Sequence, residues 1–355
     1  FAESLADKYE RRLTGETLMV NELTLCVVYR PVTGAATGLA AKWLSRGSGA
    51  TRGQDLVDAL DACEKLAQTV AASLARYEPE ILGVYPRGER ICSRLVEFLA
   101  LLVNGEFQRK PLTLAPLNQT LATSRLIFGS EVVEYRLPTR TRLGAMLGIK
   151  EYPTPSTVGM VNALLSAPFE FVLTQSFSFL SKAVGQGLLQ RQRARMANAG
   201  DFAVSQAQEL LEALDALTSN EFVMGDHHFT LQVLADPVEE RPGAGDGARL
   251  AALNDAVAQA RALLADTGMT VAREDLALEA AYWSQLPGNF ALRPRKAPIT
   301  SRNFAALAPF HNYPAGRATG NHWGDALSLL ITSAHSPYYF SLHASDPRDP
   351  EGGSR

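Results

Sequence analysis

The chain has 355 residues, with 34 Lys and Arg against 37 Asp and Glu, and its net charge of −3 supplies no global positive field for nucleic acid or an anionic membrane. At 46% apolar, 20% charged and 8% aromatic the composition is globular, which excludes bulk disorder and suits about two domains. Cys26, Cys63 and Cys92 are odd in number, widely spaced and without a CxxC pair, which argues against a disulfide framework or a thiolate zinc site and points to a reducing compartment.

In chain order, Thr17 to Arg30 is rich in Leu, Val, Thr and Tyr and is stopped by Pro31, the pattern of a strand. The Gly-rich run from Pro31 to Gly53 reads as a loop, after which Leu56, Leu60, Cys63, Ala67, Val70 and Leu74 recur at helical spacing up to about Tyr77. Ile81 to Tyr85 reads as a short strand. Ile91, Leu95, Phe98, Leu99 and Leu102 form the apolar stripe of a helix that Gly105 closes. Its core, Leu95 to Val103, is the most apolar stretch of the chain, yet Glu97 interrupts it and it is far shorter than the roughly 20 residues needed to cross a bilayer.

Glu131 to Leu137 and Leu143 to Tyr152 read as two strands joined across Pro138, followed after Pro153 and Pro155 by a short helix from Thr157 to Leu165. Phe169 to Phe179 alternates as a half-buried strand does. Lys182 to Leu217 has no proline and reads as one long helix bent near Gly200. Asn220 to Leu234 is a strand, Ala248 to Leu264 a helix, Met269 to Ala272 a short strand, and Leu276 to Leu286 a helix ended by Pro287 and Gly288. Leu292 to Pro298 has two prolines and three cations, which suits a linker, and Ala326 to Thr332 and Tyr338 to His343 form a hairpin beyond it.

The fold class that follows is α/β in the broad sense, α+β in detail: mixed or mainly antiparallel sheets with helices on one face. Residues 1–128 form a first module, 129–291 a second with the long helix, 292–298 the linker and 299–355 the start of another domain. The N-terminus lacks both a Met and a signal-peptide pattern, and the polar Pro/Gly run up to Arg355 closes no element. Processing explains such a start, and a chain cut out of a longer parent explains it as simply.

Chemistry is sparse. Asp226, His227 and His228 have the side chains of a metal site, but adjacent strand residues point to opposite faces, so the bland reading has one histidine packed in the sheet and the other wet. His311, His322, His335 and His343 follow no compact ligand spacing. Arg191, Arg193 and Arg195 lie on the long helix, with Arg191 and Arg195 on one face, but no aromatic platforms interleave with them. There is no GxSxG elbow, and the absence of any Gly-Lys pair excludes a GxxxxGK[ST] phosphate loop within these residues.

Ile299 to Ala305, Phe310 to Gly324, Ala326 to Leu330 and Pro337 to His343 together resemble the CagE/TrbE/VirB family, the large ATPases of bacterial type IV secretion and conjugation systems. The resemblance extends upstream through Glu221 to His228, Leu276 to Pro287, Phe169 to Ser178 and Met19 to Pro31. It implies an N-terminal docking and assembly region, with 299–355 opening a RecA-like motor whose Walker A loop would follow. It also implies ATP and Mg as cofactors of the parent, with none expected in this chain alone. The implied partners are inner-membrane channel components and further copies, in a hexamer or in dimers of trimers or hexamers, at the cytoplasmic face of the inner membrane, in support of pilus biogenesis and of protein or DNA transport. Nucleic acid is not an expected partner of this region.

Gly320, Asn321, Trp323 and Gly324 are the residues that the resemblance places near the nucleotide or a subunit boundary, or else in a structural turn packed by Trp323. His322 and Asp325 stand where the family commonly has proline, so this loop lacks two of its backbone constraints. Two rival readings from the residues stand beside this one. One is a metal-dependent hydrolase using Asp226, His227 or His228. The other is a nucleic-acid module using Arg191 and Arg195.

Overall fold

The structure is a computed structural model, and it describes residues 8, 11, 18–29, 49–77, 79–138, 140–198, 204–235, 246–308, 315–321, 324–333 and 335–342. The chain divides into two compact units, one of Phe1–Leu23, Ser124–Gln285 and Leu292–Arg355, the other of Thr24–Thr123 and Leu286–Ala291. Among the described residues no helix is long and apolar enough to cross a membrane.

In the smaller unit, helix α1 (Gly49–Ser73) runs on into a 3-10 turn at Ala75–Tyr77, and strands β1 (Val84–Arg87) and β2 (Arg90–Ser93) form an antiparallel hairpin. Helix α2 (Arg94–Asn104) follows at once. Ser93 caps it by accepting from the Val96 amide, and Gly105 closes it at φ 67°, a left-handed conformation that glycine adopts without steric cost. The helix is turned relative to the expected stripe: Val96, Ala100, Leu102 and Val103 are buried, while Leu95 is exposed and Ile91 is an exposed strand residue. Glu97 is buried too. Its carboxylate accepts from the Tyr85 hydroxyl at 2.7 Å and the Lys110 amide at 3.2 Å, which meets the cost of removing a charge from water. A single turn, α3 (Leu117–Thr120), completes the unit's helices among the described residues.

The larger unit is organised by a seven-stranded, wholly antiparallel sheet of β3 (Arg125–Phe128), β4 (Val133–Arg136), β5 (Thr141–Glu151), β6 (Glu170–Phe179), β7 (Met224–Leu234), β8 (Thr270–Arg273) and β9 (Ala297–Thr300). The main path runs β3-β4-β5-β7-β6, and β8 pairs with β5 and β9 with β7. β7 is paired with β6 over most of its length; on its other side β5 serves Thr230 to Leu234 and β9 serves Met224 to His227. His228 and Phe229 fall at the seam between these two partners.

Both faces of β7 are covered, which is why nearly every residue in it is buried. Phe229, Leu231 and Val233 join Ala145, Leu147 and Ile149 of β5 beneath helix α6 (Asp246–Ala265), whose Leu253, Val257, Ala260 and Leu264 complete the main core. On the opposite face Leu234 and Met146 meet Tyr135 and the short helix α7 (Leu278–Trp283). Helices α4 (Lys182–Asn198) and α5 (Val204–Thr218) stand where one bent helix is expected, with Gly200 outside the described residues. A smaller cluster of Leu217, Phe222 and Met224 packs with Leu180 and Leu189.

Beyond β9 come helix α8 (Ser301–Leu307), capped by Thr300, and a separate hairpin of β10 (Ser328–Ile331) and β11 (Pro337–Phe340). The α+β class and most strand and helix positions are as the sequence indicates. β2, β3, α3 and α8 are elements the sequence does not indicate, and three expected ones differ. The described part of the expected first strand, residues 18–29, is not in a strand: among the described residues no strand pairs with it, and β propensity needs a partner to be expressed. The helix expected from Thr157 is only a 3-10 segment at Asn162–Ser166. Ala297 and Pro298, expected in a linker, belong to β9; among the described residues only β7 pairs with that strand, and an edge strand can hold a proline that donates no hydrogen bond.

Candidate functional site

The polar residues of β7 make it the place to look for chemistry. Strand periodicity puts Asp226, His228, Thr230 and Gln232 on one face and His227 among the apolar residues of the other. The two histidines therefore cannot share an ion. Both are buried, His227 at 0% and His228 at 1% exposure, which corrects the expectation that one of them is wet: a strand paired on both sides and covered on both faces leaves neither to solvent.

His227 is a satisfied core histidine. Gln175 uses its amide N–H₂ to donate to Leu307 O at 2.7 Å, so its Oε1 is an acceptor and His227 Nε2–H donates to it at 3.0 Å. His227 Nδ1 then accepts from the Tyr152 hydroxyl at 2.8 Å, and Phe304 packs against the ring. Both bonds suit the neutral imidazole. Burial, helped by His228 and Arg293, pushes its pKa down to about 3 from 6.5, and burial with Arg293 brings His228 to about 4.

The other face is strapped by the segment that leads into β9. Arg293 donates to Ser176 Oγ and to Asp226 O, both at 3.2 Å, and Lys296 Nζ lies 3.6 Å from Asp226 Oδ2. Arg295 Nε is 2.7 Å from Oε1 of the fully buried Glu274. All three cations read from sequence as linker charges thus engage the sheet. Gly148 makes this possible: a Cβ there would lie 2.3 Å from Glu274 Oε1, so the missing side chain is the slot the carboxylate fills. Sequence spacing gives no sign of a pair formed across the sheet by residues 21 apart.

The loop singled out by resemblance is stitched to the C-terminal hairpin. Gly324 N–H donates to Asn321 O at 3.1 Å, closing a turn, and Asn321 Nδ2 donates to Arg317 O at 2.8 Å. Gly320 and Gly324 have φ of 74° and 111°, in the region that favours glycine. Tyr339 N–H donates to Ala315 O at 2.7 Å, and Ala326 N–H to Ala318 O at 2.9 Å. Trp323 lies outside the described residues, as do His311, His322 and His343.

Arg191, Arg193 and Arg195 are exposed on α4, and Arg191 Nε bonds the carbonyl of Gly187 one turn back. Among the described residues there is no group of three or more His, Cys, Asp or Glu able to hold a metal ion. In the smaller unit, α1 keeps Leu56 and Leu60 of its apolar stripe exposed at 61% each, with Val57 beside them. Leu56, Val57 and Leu60 thus expose apolar side chains within about one turn of the helix.

An antiparallel sheet with helices on its faces, whose buried polar groups hold its own segments together, defines an α+β class of protein. The CagE, TrbE, VirB family, described as a component of the type IV transporter system, matches residues 80–295, and the chain belongs to that family. It is 42% identical over 348 residues to the type IV secretion system protein virB4 of Bartonella quintana, covering 98% of this chain and 43% of that protein. It is 38% identical over 346 residues to protein virB4 of Rhizobium radiobacter, at 98% and 42% coverage. It is also 38% identical over 352 residues to the type IV secretion system protein PtlC of Bordetella pertussis, at 97% and 41%. The chain spans less than half the length of these curated relatives.

Proposed function

We propose that the chain is the assembly and docking region of a type IV secretion ATPase, which binds inner-membrane channel components and neighbouring protomers of a hexamer at the cytoplasmic face of the membrane. ATP hydrolysis, with Mg, then falls to the remainder of the protein and energises pilus biogenesis and the transport of protein or DNA. The observation that carries this reading is the near-complete coverage of the chain by secretion-system proteins more than twice its length. The exposed leucines of α1 and the internal use of His227, Glu274 and Arg295 accord with a chain that works by association.

The strap from Arg293 to Lys296 has a role in this reading. It fastens the sheet to the segment that continues through α8 toward Gly320, Asn321 and Gly324, so that force on one is borne by the other. We place that loop, with Trp323, at a nucleotide or subunit boundary. The test is co-purification of the chain with the inner-membrane components of its own secretion system. Capture that falls at least tenfold on Leu56→Asp with Leu60→Asp supports it, whereas no capture by the unaltered chain rejects it.

A further inference from the structure

Among the described residues of the larger unit, five buried polar atoms lack a partner: His228 Nδ1, Thr230 Oγ1, Gln232 Oε1 and Glu274 Oε2 on the strapped face of the sheet, and Gln285 Oε1 just beyond helix α7. Each belongs to a residue no more than 3% exposed. Buried groups left bare in this way are costly, and native proteins pair all but a few of them with protein or with ordered water. One orphan would be unremarkable. Five in one larger unit, three of them on successive same-face positions of a single strand, call for a common occupant.

The spacing says what it is. His228, Thr230 and Gln232 are two residues apart along β7, hence about 6.6 Å from one to the next at roughly 3.3 Å per residue, too far for a direct hydrogen bond. Two hydrogen bonds through a single water reach roughly 5.6 Å, which flexible side chains can match. The chemistry agrees. Gln232 donates an amide N–H to the Tyr135 hydroxyl and Gln285 donates one to Tyr282 O at 3.2 Å, so the unpartnered atom of each is its oxygen acceptor. Glu274 offers another, since Arg295 occupies Oε1 alone. Three acceptors with a hydroxyl and an imidazole need a small occupant that donates two protons and accepts others.

Room for it comes from the topology. His228 sits where β5 has left β7 and β9 has not yet joined, so one side of the strand has no neighbouring strand at that position among the described residues. We propose that this face holds a built hydration site, a short chain of ordered waters that links His228, Thr230, Gln232, Glu274 and Gln285 beneath the strap. The site stands apart from the secretion reading and neither supports nor needs it.

A crystal structure of the whole chain at a resolution that shows ordered water tests this directly. The expected result is two or more water peaks, each within 3.2 Å of at least two of the five atoms, with the peak beside Gln232 lost in a second structure of Gln232→Leu. A dry interior, direct pairing of the five atoms with one another, or density for a metal or organic group in place of water would overturn the proposal. Because the unaltered protein alone decides between these results, a variant that fails to fold does not spare it.

Discussion

Glu274 and Arg295 form an ion pair, Nε to Oε1 at 2.7 Å, laid over the bare Cα of Gly148. The carboxylate can lie there only because position 148 has no side chain. Gly148→Ala is therefore expected to push Glu274 off its partner and to cost about 1–3 kcal/mol, the usual range for overfilling a packed site. Urea denaturation measures it. In a Glu274→Ala background the same substitution should cost much less, because the atom it strikes is gone, and additive costs would show that the slot is not what holds the pair.

Removing one partner should be worse than removing both. Arg295→Met leaves a fully buried carboxylate with no cation, and since the Arg295 side chain is itself 39% exposed, water limits the loss to about 2–3 kcal/mol, below the full buried-pair figure. Glu274→Leu with Arg295→Met should recover most of that loss. The midpoint of chemical denaturation for the single and double variants is the check.

The buried histidines make the larger unit acid-labile. His227 and His228 titrate near 3 and 4 in the fold against an ordinary 6.5, so the unfolded chain binds more protons through this window. Their stabilising effect is complete above about pH 6.5 and is lost as the pH falls toward 4, at about 1.4 kcal/mol per pH unit for each histidine. Denaturation midpoints at pH 7.5, 6.5 and 5.5 should decline over the lower interval. His227→Gln should roughly halve the slope, and a flat profile would contradict the assignment.

Gly316 should be as intolerant as Gly148, for a backbone reason. It has φ 68° and faces Tyr339 in a parallel bridge, and a Cβ would lie 2.0 Å from Tyr339 O. Gly316→Ala should detach residues 315–321 from β11 while leaving the large sheet intact. Amide hydrogen exchange reads this as lost protection at Tyr339, whose N–H is bonded to Ala315 O, with unchanged rates in β7.

How much of this the sequence discloses depends on the range of the interaction. α6 is legible as a proline-free run rich in the helix formers Ala and Leu, and Gly105 ends α2 for a local steric reason. The opposite facing of His227 and His228 is equally local. Their shared burial is not, since it depends on β6, β5 and β9 closing around β7 from 50 to 80 residues away. The same holds for Arg293, Arg295 and Lys296, which have the composition of a linker and the contacts of a strap. The strand expected before Pro31 shows the converse: residues 18–29 have the propensity, but among the described residues no strand is paired with them.

The division of labour proposed for the chain is tested most directly by ATP hydrolysis, measured with Mg on the chain itself and on the same chain carried on through the remaining length of its relatives. The account predicts no turnover above background in the first and clear turnover in the second. Steady hydrolysis by the 355 residues alone would contradict it, as would an extended protein that binds and hydrolyses no ATP.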